Sequence, residues 1–313
     1  MIRHRTNTLR RTMRRIANFL RPRFISIFLL LAMIAGSAVA QNPQTMPPEK
    51  TIPIFGQTIH YWDVGSGPVV VLLHGLGSSK EDWLAVVGPL SKNHRLLIPD
   101  QIGFGHSDKP LVSYSVQTFV DFLDEFLRQM KVEKASLVGE SLGGWVSALY
   151  ITEISGTDHS SVVDKLVLAD APGLKEQTPT IPDFNASLNS SRGMLKKLFY
   201  DSSWINDERL RQSFAHRLAA NDGYTIQSFL NNPALASEFL DDRLSQIRIP
   251  TLVVWGKQDQ LVPFSSGEKY AAGIPGARLV AFDKCGHIPK AEKTAEFLSA
   301  VIAFLDTPAP ASK

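Results

Sequence analysis

Apolar positions along the chain fall into two rhythms. Short, mostly apolar runs bounded by turn signals lie at Val69–Leu73, His94–Ile98, Ala135–Val138, Lys165–Ala169, Pro250–Trp255 and Ala277–Phe282. Such runs are expected of strands buried on both faces. Between them the spacing turns helical. Over Ser115–Met130, Phe119, Phe122, Leu123, Phe126, Leu127 and Met130 recur at i, i+3, i+4 and i+7, the stripe of an amphipathic helix. Ser78–Leu90, the stretch from Leu142, and the stretch holding Phe297, Leu298, Val301 and Ile302 also read as helices. Thr51–Val64 reads as two short strands turning at Gly56-Gln57, and Gly65–Pro68 as a loop. Strands alternating with helices predict a mostly parallel α/β sheet covered on both faces. Ligand sites in such sheets lie beyond the carboxyl ends of the strands.

The alternation breaks once. From Leu174 to Ser245 strand signals vanish, and helical pieces take over at Ser187–Tyr200, Asn206–Ala220, Tyr224–Asn231 and Ala234–Leu244. Asn206 is a candidate N-cap, with Asp207 and Glu208 in the first turn. The core is thus read as 51–173 and 246–306, interrupted by a helical insertion over 174–245, with a loose tail at 307–313. No internal repeat is present.

Composition changes the picture mainly at the N-terminus. The 313 residues carry a net charge of +3, but residues 1–40 hold eight arginines and no acid. Without them the chain has 25 Lys+Arg against 30 Asp+Glu, a net −5. The folded part is mildly acidic and offers no basic nucleic-acid surface. Residues 1–40 combine a basic stretch, an apolar run at Phe24–Ala35 and Ala38-Val39-Ala40, the parts of a cleavable secretory signal. The rival reading is an uncleaved anchor, with membrane association through residues 24–40. Both place the catalytic part outside the cytoplasm, periplasmic or secreted in the first case and held at the inner membrane in the second. Residues 41–50, rich in Pro and polar side chains, read as a linker. The single cysteine, Cys285, excludes an internal disulfide, and no His/Cys cluster has metal-ligand spacing, so no metal is expected.

The chemistry centres on Gly139-Glu140-Ser141-Leu142-Gly143-Gly144, where a predicted strand runs into a predicted helix. A serine is a useful nucleophile when its Oγ stands clear of the backbone beside a base. A strand–helix turn that exposes it needs glycine flanks, and the new helix aims its N-terminal N–H groups at the reaction. Ser141 is therefore the candidate nucleophile. His74-Gly75-Leu76-Gly77 follows a buried strand, so the backbone N–H groups of Leu76 and Leu142 are the candidate oxyanion donors. His74, Asp100 and His106 read as loop braces. Among the eight histidines, His287 alone sits in a glycine-flanked loop directly after the last strand, which makes it the candidate base. Asp259, in the strand-exit loop Trp255-Gly256-x-x-Asp259, is the candidate acid, and the order Ser, Asp, His suits it. Asp170, after an earlier strand, is the rival acid.

These motifs, with Pro99-Asp100 and Gly103-x-Gly105-x-Ser107, resemble the α/β-hydrolase superfamily over nearly all of Thr51–Leu305. Within it, residues 74–83 and 286–293 are similar to bacterial lipases and monoacylglycerol-lipase-like esterases. The resemblance implies an eight-stranded core with a lid inserted after the sixth strand. It implies acyl transfer to water on a small-molecule ester with an apolar acyl group, and no cofactor. The serine argues against the dehalogenase and epoxide-hydrolase branches, which use a carboxylate. Leu195, Phe199 and Trp204 are candidate acyl-pocket residues, as are Leu198, Phe214 and Phe229. The alternative for each is packing of the lid on the core. A competing activity is cleavage of a carbon–carbon bond in a dienoic keto-acid, whose charge would call on Arg192, Arg209 or Arg217. Acyl transfer to another alcohol needs only a different second substrate, and a non-catalytic binding module would be expected to carry a broken triad.

Overall fold

Eight strands form a single sheet in the order β1-β2-β4-β3-β5-β6-β7-β8. They are β1 (Glu49–Ile54), β2 (Gln57–Val64), β3 (Val69–Leu73), β4 (Arg95–Pro99), β5 (Ala135–Glu140), β6 (Val163–Ala169), β7 (Thr251–Gly256) and β8 (Arg278–Phe282). β2 runs antiparallel to both of its neighbours, and all other pairings are parallel. The computed structural model describes residues 46–157, 161–175, 184 and 187–308. The predicted signal or anchor over 1–40 and most of the tail lie outside the described residues. Among the described residues, no helix is long and apolar enough to cross a membrane.

Two boundaries differ from the sequence reading. β1 begins at Glu49, inside the stretch read as linker, because its residues pair with β2 from Glu49↔Trp62 onward. The hairpin turns at Phe55-Gly56 rather than Gly56-Gln57, with both residues at positive φ (49° and 77°). Two consecutive left-handed residues are what a two-residue hairpin loop demands, and Gln57 is then free to start β2 opposite Ile54.

Helices cover both faces of the sheet. They are α1 (Leu84–Leu90, preceded by a 3₁₀ turn at Lys80–Trp83), α2 (Val116–Gln129), α3 (Leu142–Ile154), α7 (Phe264–Gly273), α8 (Pro289–Glu292) and α9 (Thr294–Asp306), with α4–α6 in the insertion. α2 starts at a capping box: the Ser115 hydroxyl accepts the Thr118 N–H while Thr118 answers the Ser115 N–H. Alternate side chains of β3 serve opposite faces. Val71 and Leu73 join Phe119, Trp145 and Leu149, whereas Val70 and Leu72 join Trp83, Val87, Phe297 and Val301. Each such buried side chain contributes roughly 1.5–3 kcal/mol of apolar burial.

The insertion follows β6. It contains α4 (Leu188–Leu198), α5 (Asp207–Ala220) and α6 (Gly223–Leu230), with Asn206 capping α5 through the Arg209 N–H at 2.9 Å. The helix expected over Ala234–Leu244 is instead two 3₁₀ turns, Pro233–Ser237 and Leu244–Gln246. The reason is tertiary. Glu238 accepts the N–H groups of Val116 and Gln117 at the α2 N-terminus, and Phe239 stacks on Trp145 at 5.4 Å. These anchors pull the chain out of a helical path.

Candidate active site

The centre of the site is the junction of β5 and α3. All six residues of β5 are buried between β3 and β6. The strand ends in Ser141 at φ 52°, ψ −123°, a strained conformation for a residue with a side chain. Its N–H still donates to the Ala169 carbonyl (2.8 Å), while its own carbonyl accepts from Gly144 (2.9 Å). Ser141 is thus the last residue of the sheet and the first cap of the helix. The flanking glycines are required by contact. A Cβ at Gly139 would lie 2.3 Å from the Gly143 oxygen, and one at Gly143 would lie 2.2 Å from the Leu73 oxygen.

The loop after β3 crosses this elbow. A Cβ on Gly75 would sit 3.1 Å from Ser141 Cβ and 3.6 Å from its Oγ, so the loop that carries Leu76 passes against the serine at Gly75. Leu142 is the first residue of α3, and its N–H has no intrahelical acceptor. His74 is fully buried. Its Nδ1–H donates to the Gly75 carbonyl (2.8 Å) and its Nε2 accepts the Gln101 N–H (3.0 Å). Burial pushes its pKa down, so it braces the loop as a neutral ring. Asp100 braces the next loop, accepting from Lys80 Nζ (2.8 Å), the Lys80 N–H (2.7 Å) and the His106 N–H (2.8 Å).

Asp259 and His287 meet at the ends of β7 and β8. The Asp259 Oδ1 accepts the N–H groups of Leu261 (2.7 Å) and Val262 (3.0 Å), which fixes the carboxylate. Its Oδ2 lies 2.7 Å from His287 Nδ1. The two loops are stitched together where the Gln258 N–H donates to the Cys285 carbonyl and the Cys285 N–H to the Gln258 side chain. Burial alone would lower the His287 pKa, but the charge and hydrogen bond of Asp259, with Glu140 behind, outweigh it, and the net shift is upward. An imidazole that holds its proton this way is equipped to accept one from Ser141. Asp170 lies in the same place. One of its carboxyl oxygens, one of Asp259's and a ring nitrogen of His287 all fall within 4.8 Å of one another.

A buried charge network adjoins the nucleophile, and the sequence pattern did not announce it. Glu140 is 1% exposed and contacts Lys290 Nζ. The Lys290 ammonium also lies 3.3 Å from Asp82 and 4.9 Å over the Trp83 ring. Burial disfavours both charges: it raises Glu140, and it would lower Lys290 were Asp82 and Glu140 not opposed to it. The Lys290 ammonium thus compensates the carboxyl buried one residue before Ser141. Further out, Glu49, His60 and His106 also gather within 4.8 Å, with Lys80 Nζ 2.6 Å from Glu49. These residues are far apart in sequence, so no local spacing marked them.

The insertion reaches the site through α4. The His287 N–H donates to the Leu198 carbonyl (2.8 Å), and Glu292 accepts from Gly286 (2.6 Å), Tyr200 and Asp201 (both 2.9 Å). Phe199, between these anchors, stacks on Trp204 at 4.7 Å, and Arg209 covers the other ring at 3.9 Å. Leu195 is buried. Phe229 packs on Phe119 and Trp145 in the core, the blander of its two readings. Arg217 pairs with Asp222, and its guanidinium would lie 2.9 Å from a Cβ on Gly77 in the loop that carries Leu76. Arg192 is turned toward Asp207 at the surface.

A family model described as the alpha/beta hydrolase fold matches residues 68–294. The chain belongs to the α/β-hydrolase family. Within it, the chain is 30% identical over 267 residues to a 2-hydroxy-6-oxononadienedioate/2-hydroxy-6-oxononatrienedioate hydrolase of Cupriavidus pinatubonensis (strain JMP 134 / LMG 1197), covering 79% of this chain and 90% of that protein. Among solved structures, a meta-cleavage product hydrolase from Pseudomonas fluorescens IP01 superposes with a TM-score of 0.75 at 29% identity, over 82% of this chain and 97% of the other. A membrane phospholipase A, titled a bacterial virulence factor, superposes with a TM-score of 0.74 at 27% identity, over 83% and 86%.

Proposed function

We propose that the protein is a serine hydrolase that works through an acyl-enzyme on Ser141, and that it cleaves the carbon–carbon bond beside the ketone of a dienoic keto-acid. The observation that carries the chemistry is the 2.7 Å contact of His287 Nδ1 with a fully held Asp259 carboxylate at the edge that bears the strained serine. Ser141 Oγ attacks the ketone carbon and passes its proton to His287. The N–H groups of Leu76 and Leu142 hold the oxyanion. Asp259 keeps the imidazole in one tautomer and stabilises its charged form. In the keto tautomer of the substrate, whose enol proton has moved to the carbon beside the attacked ketone, the carbon–carbon bond breaks with its electron pair delocalised as the dienolate of the keto-acid, and that fragment takes the proton from His287. Water, deprotonated by His287, then releases the acyl group as a carboxylic acid.

Two observations support the substrate class. The Cupriavidus relative is named for hydrolysis of a 2-hydroxy-6-oxo-dienedioate, and the Pseudomonas neighbour is a meta-cleavage product hydrolase. Arg217 is half-buried beside the oxyanion loop and paired with Asp222, and a substrate carboxylate can share its guanidinium there. This reverses the preference for esters reached from the motifs alone.

A second reading, hydrolysis of carboxylic esters with an apolar acyl group, is favoured by three observations. Residues 1–40 carry a secretory or anchor pattern, and an exported enzyme meets lipid-like esters. The phospholipase A neighbour and the stacked Phe199–Trp204 pair support it too.

Turnover of a 2-hydroxy-6-oxo-dienoate is compared with that of p-nitrophenyl esters from acetyl to palmitoyl, using wild type and Ser141→Ala. Faster, Ser141-dependent loss of the keto-acid chromophore supports the first reading. Ser141-dependent turnover of esters alone replaces it with the second.

A further inference from the structure

Two acids stand behind His287, and the mechanism above uses one. Asp170 ends β6 one residue past the sheet, is fully buried, and has φ 47°, in the left-handed region that favours glycine and that Asp enters more readily than most side chains. Its N–H donates to the Val254 carbonyl (3.1 Å), and its Oδ1 accepts the Gly256 N–H (2.9 Å), so it is locked to the strand that leads to Asp259. Its other oxygen, Oδ2, is buried without a hydrogen-bond partner. An orphaned buried carboxyl oxygen costs stability and calls for an explanation.

The surroundings supply one. The Asp259 carboxyl accepts two N–H groups and lies against His287. A second ionised carboxylate within 4.8 Å, in a buried site, would repel it at low dielectric. The pair therefore carries one negative charge and one proton, and the proton resides on Asp170. Burial and the Asp259 charge both drive its pKa well up. The neutral carboxyl then faces Asp259 as a potential donor, held there by the hydrogen bonds to Gly256 and Val254.

We propose that Asp170 is a second acid for His287: it shares a single negative charge with Asp259, and when the Asp259 carboxylate is removed it ionises and orients the imidazole in its place. Its proton goes to solvent, and no other reactant is needed. The distance to His287 is one that a side-chain adjustment into the vacated space, or a bridging water, spans. Asp170 is a positioning residue here, acting through the imidazole. The proposal rests on the reading of Ser141 and His287 as nucleophile and base.

The test uses the full chain and the rate at which a fluorophosphonate probe modifies Ser141, which requires the base but no knowledge of the natural substrate. Asp170→Asn keeps the acceptor for the Gly256 N–H and the size of the side chain, yet cannot ionise. Expected rates relative to wild type are about three- to tenfold slower for Asp170→Asn and ten- to a hundredfold slower for Asp259→Ala, and Asp259→Ala with Asp170→Asn is at least tenfold slower than the product of the two single effects, the non-additivity of residues that act as a unit. Melting temperatures of the three variants, measured beside the rates, separate this excess from a loss of folding. A double variant no slower than the product of the single effects, with wild type labelled normally, overturns the second-acid proposal alone. Wild type that labels no faster than Ser141→Ala overturns the serine-hydrolase reading and this proposal with it.

Discussion

The elbow helix and the insertion helices are built on opposite terms. In α3, eleven of thirteen residues are buried, and its first turn is sealed against β3 and Ala171. In α5 of the insertion, Leu210 is the one buried residue of fourteen. The first is a scaffold in which atoms near Ser141 have nowhere else to go. The second is held by separate tethers: Leu198 and Glu292 at the His287 loop, Glu238 at α2, and Leu240 donating to the Gly173 carbonyl (2.8 Å). Catalytic geometry therefore belongs to the sheet edge, and access and substrate choice to the insertion. The division matches what each demands: preorganisation needs dense packing, whereas a surface that admits a ligand needs lower local stability.

If that division holds, changes at the elbow and at the tethers should fail differently. The largest effect belongs to Ser141→Ala, which removes the nucleophile. Turnover should fall on the order of a million-fold while thermal unfolding hardly changes, since the substitution deletes one oxygen from a half-buried side chain. Gly143→Ala should act on stability instead. Its Cβ meets the Leu73 oxygen at 2.2 Å, and no flexible side chain can yield. A loss of about 3 kcal/mol, or a melting temperature lower by ~6–12 °C, is expected in calorimetry.

Glu292→Ala should do the reverse of Gly143→Ala. It frees the N–H groups of Gly286, Tyr200 and Asp201, so the insertion loosens beside His287. Turnover should drop about ten- to a hundredfold with a much smaller change in melting temperature. A large loss of stability with intact specific activity would place the tether in the scaffold after all.

The smallest effect is on pH. The His287 pKa is raised, so the acid limb of kcat/KM should lie above the ordinary imidazole value of about 6.5, and Asp259→Asn should move it down. The stability sign follows. A raised folded pKa means the contribution is complete below about pH 6.5 and fades as the pH climbs through the folded value. The melting-temperature advantage of wild type over His287→Gln should shrink over that interval.

The same contrast explains what could be read from the sequence. The elbow was legible because its physics is local: an apolar run, two glycines with no room for a Cβ, and a helix pattern are contiguous. Asp259 and His287 were legible because each leaves a strand end, and parallel strands bring their ends together. The Glu140–Lys290–Asp82 network was not, since Lys290 and Asp82 look like surface residues until the fold buries the ammonium against Trp83. The closing part of the insertion was misread as helix because the pull of Glu238 and Phe239 comes from α2 and α3, far away in the chain. Asp170 was weighed as a rival to Asp259, whereas the structure sets both beside one histidine.

The most direct test of the account is intact-mass spectrometry after exposure to a fluorophosphonate, followed by peptide mapping. The account predicts one phosphonyl group per chain, on Ser141, absent in Ser141→Ala and formed far more slowly in His287→Ala. No adduct on the wild-type chain, or an adduct formed as fast without His287, would contradict it.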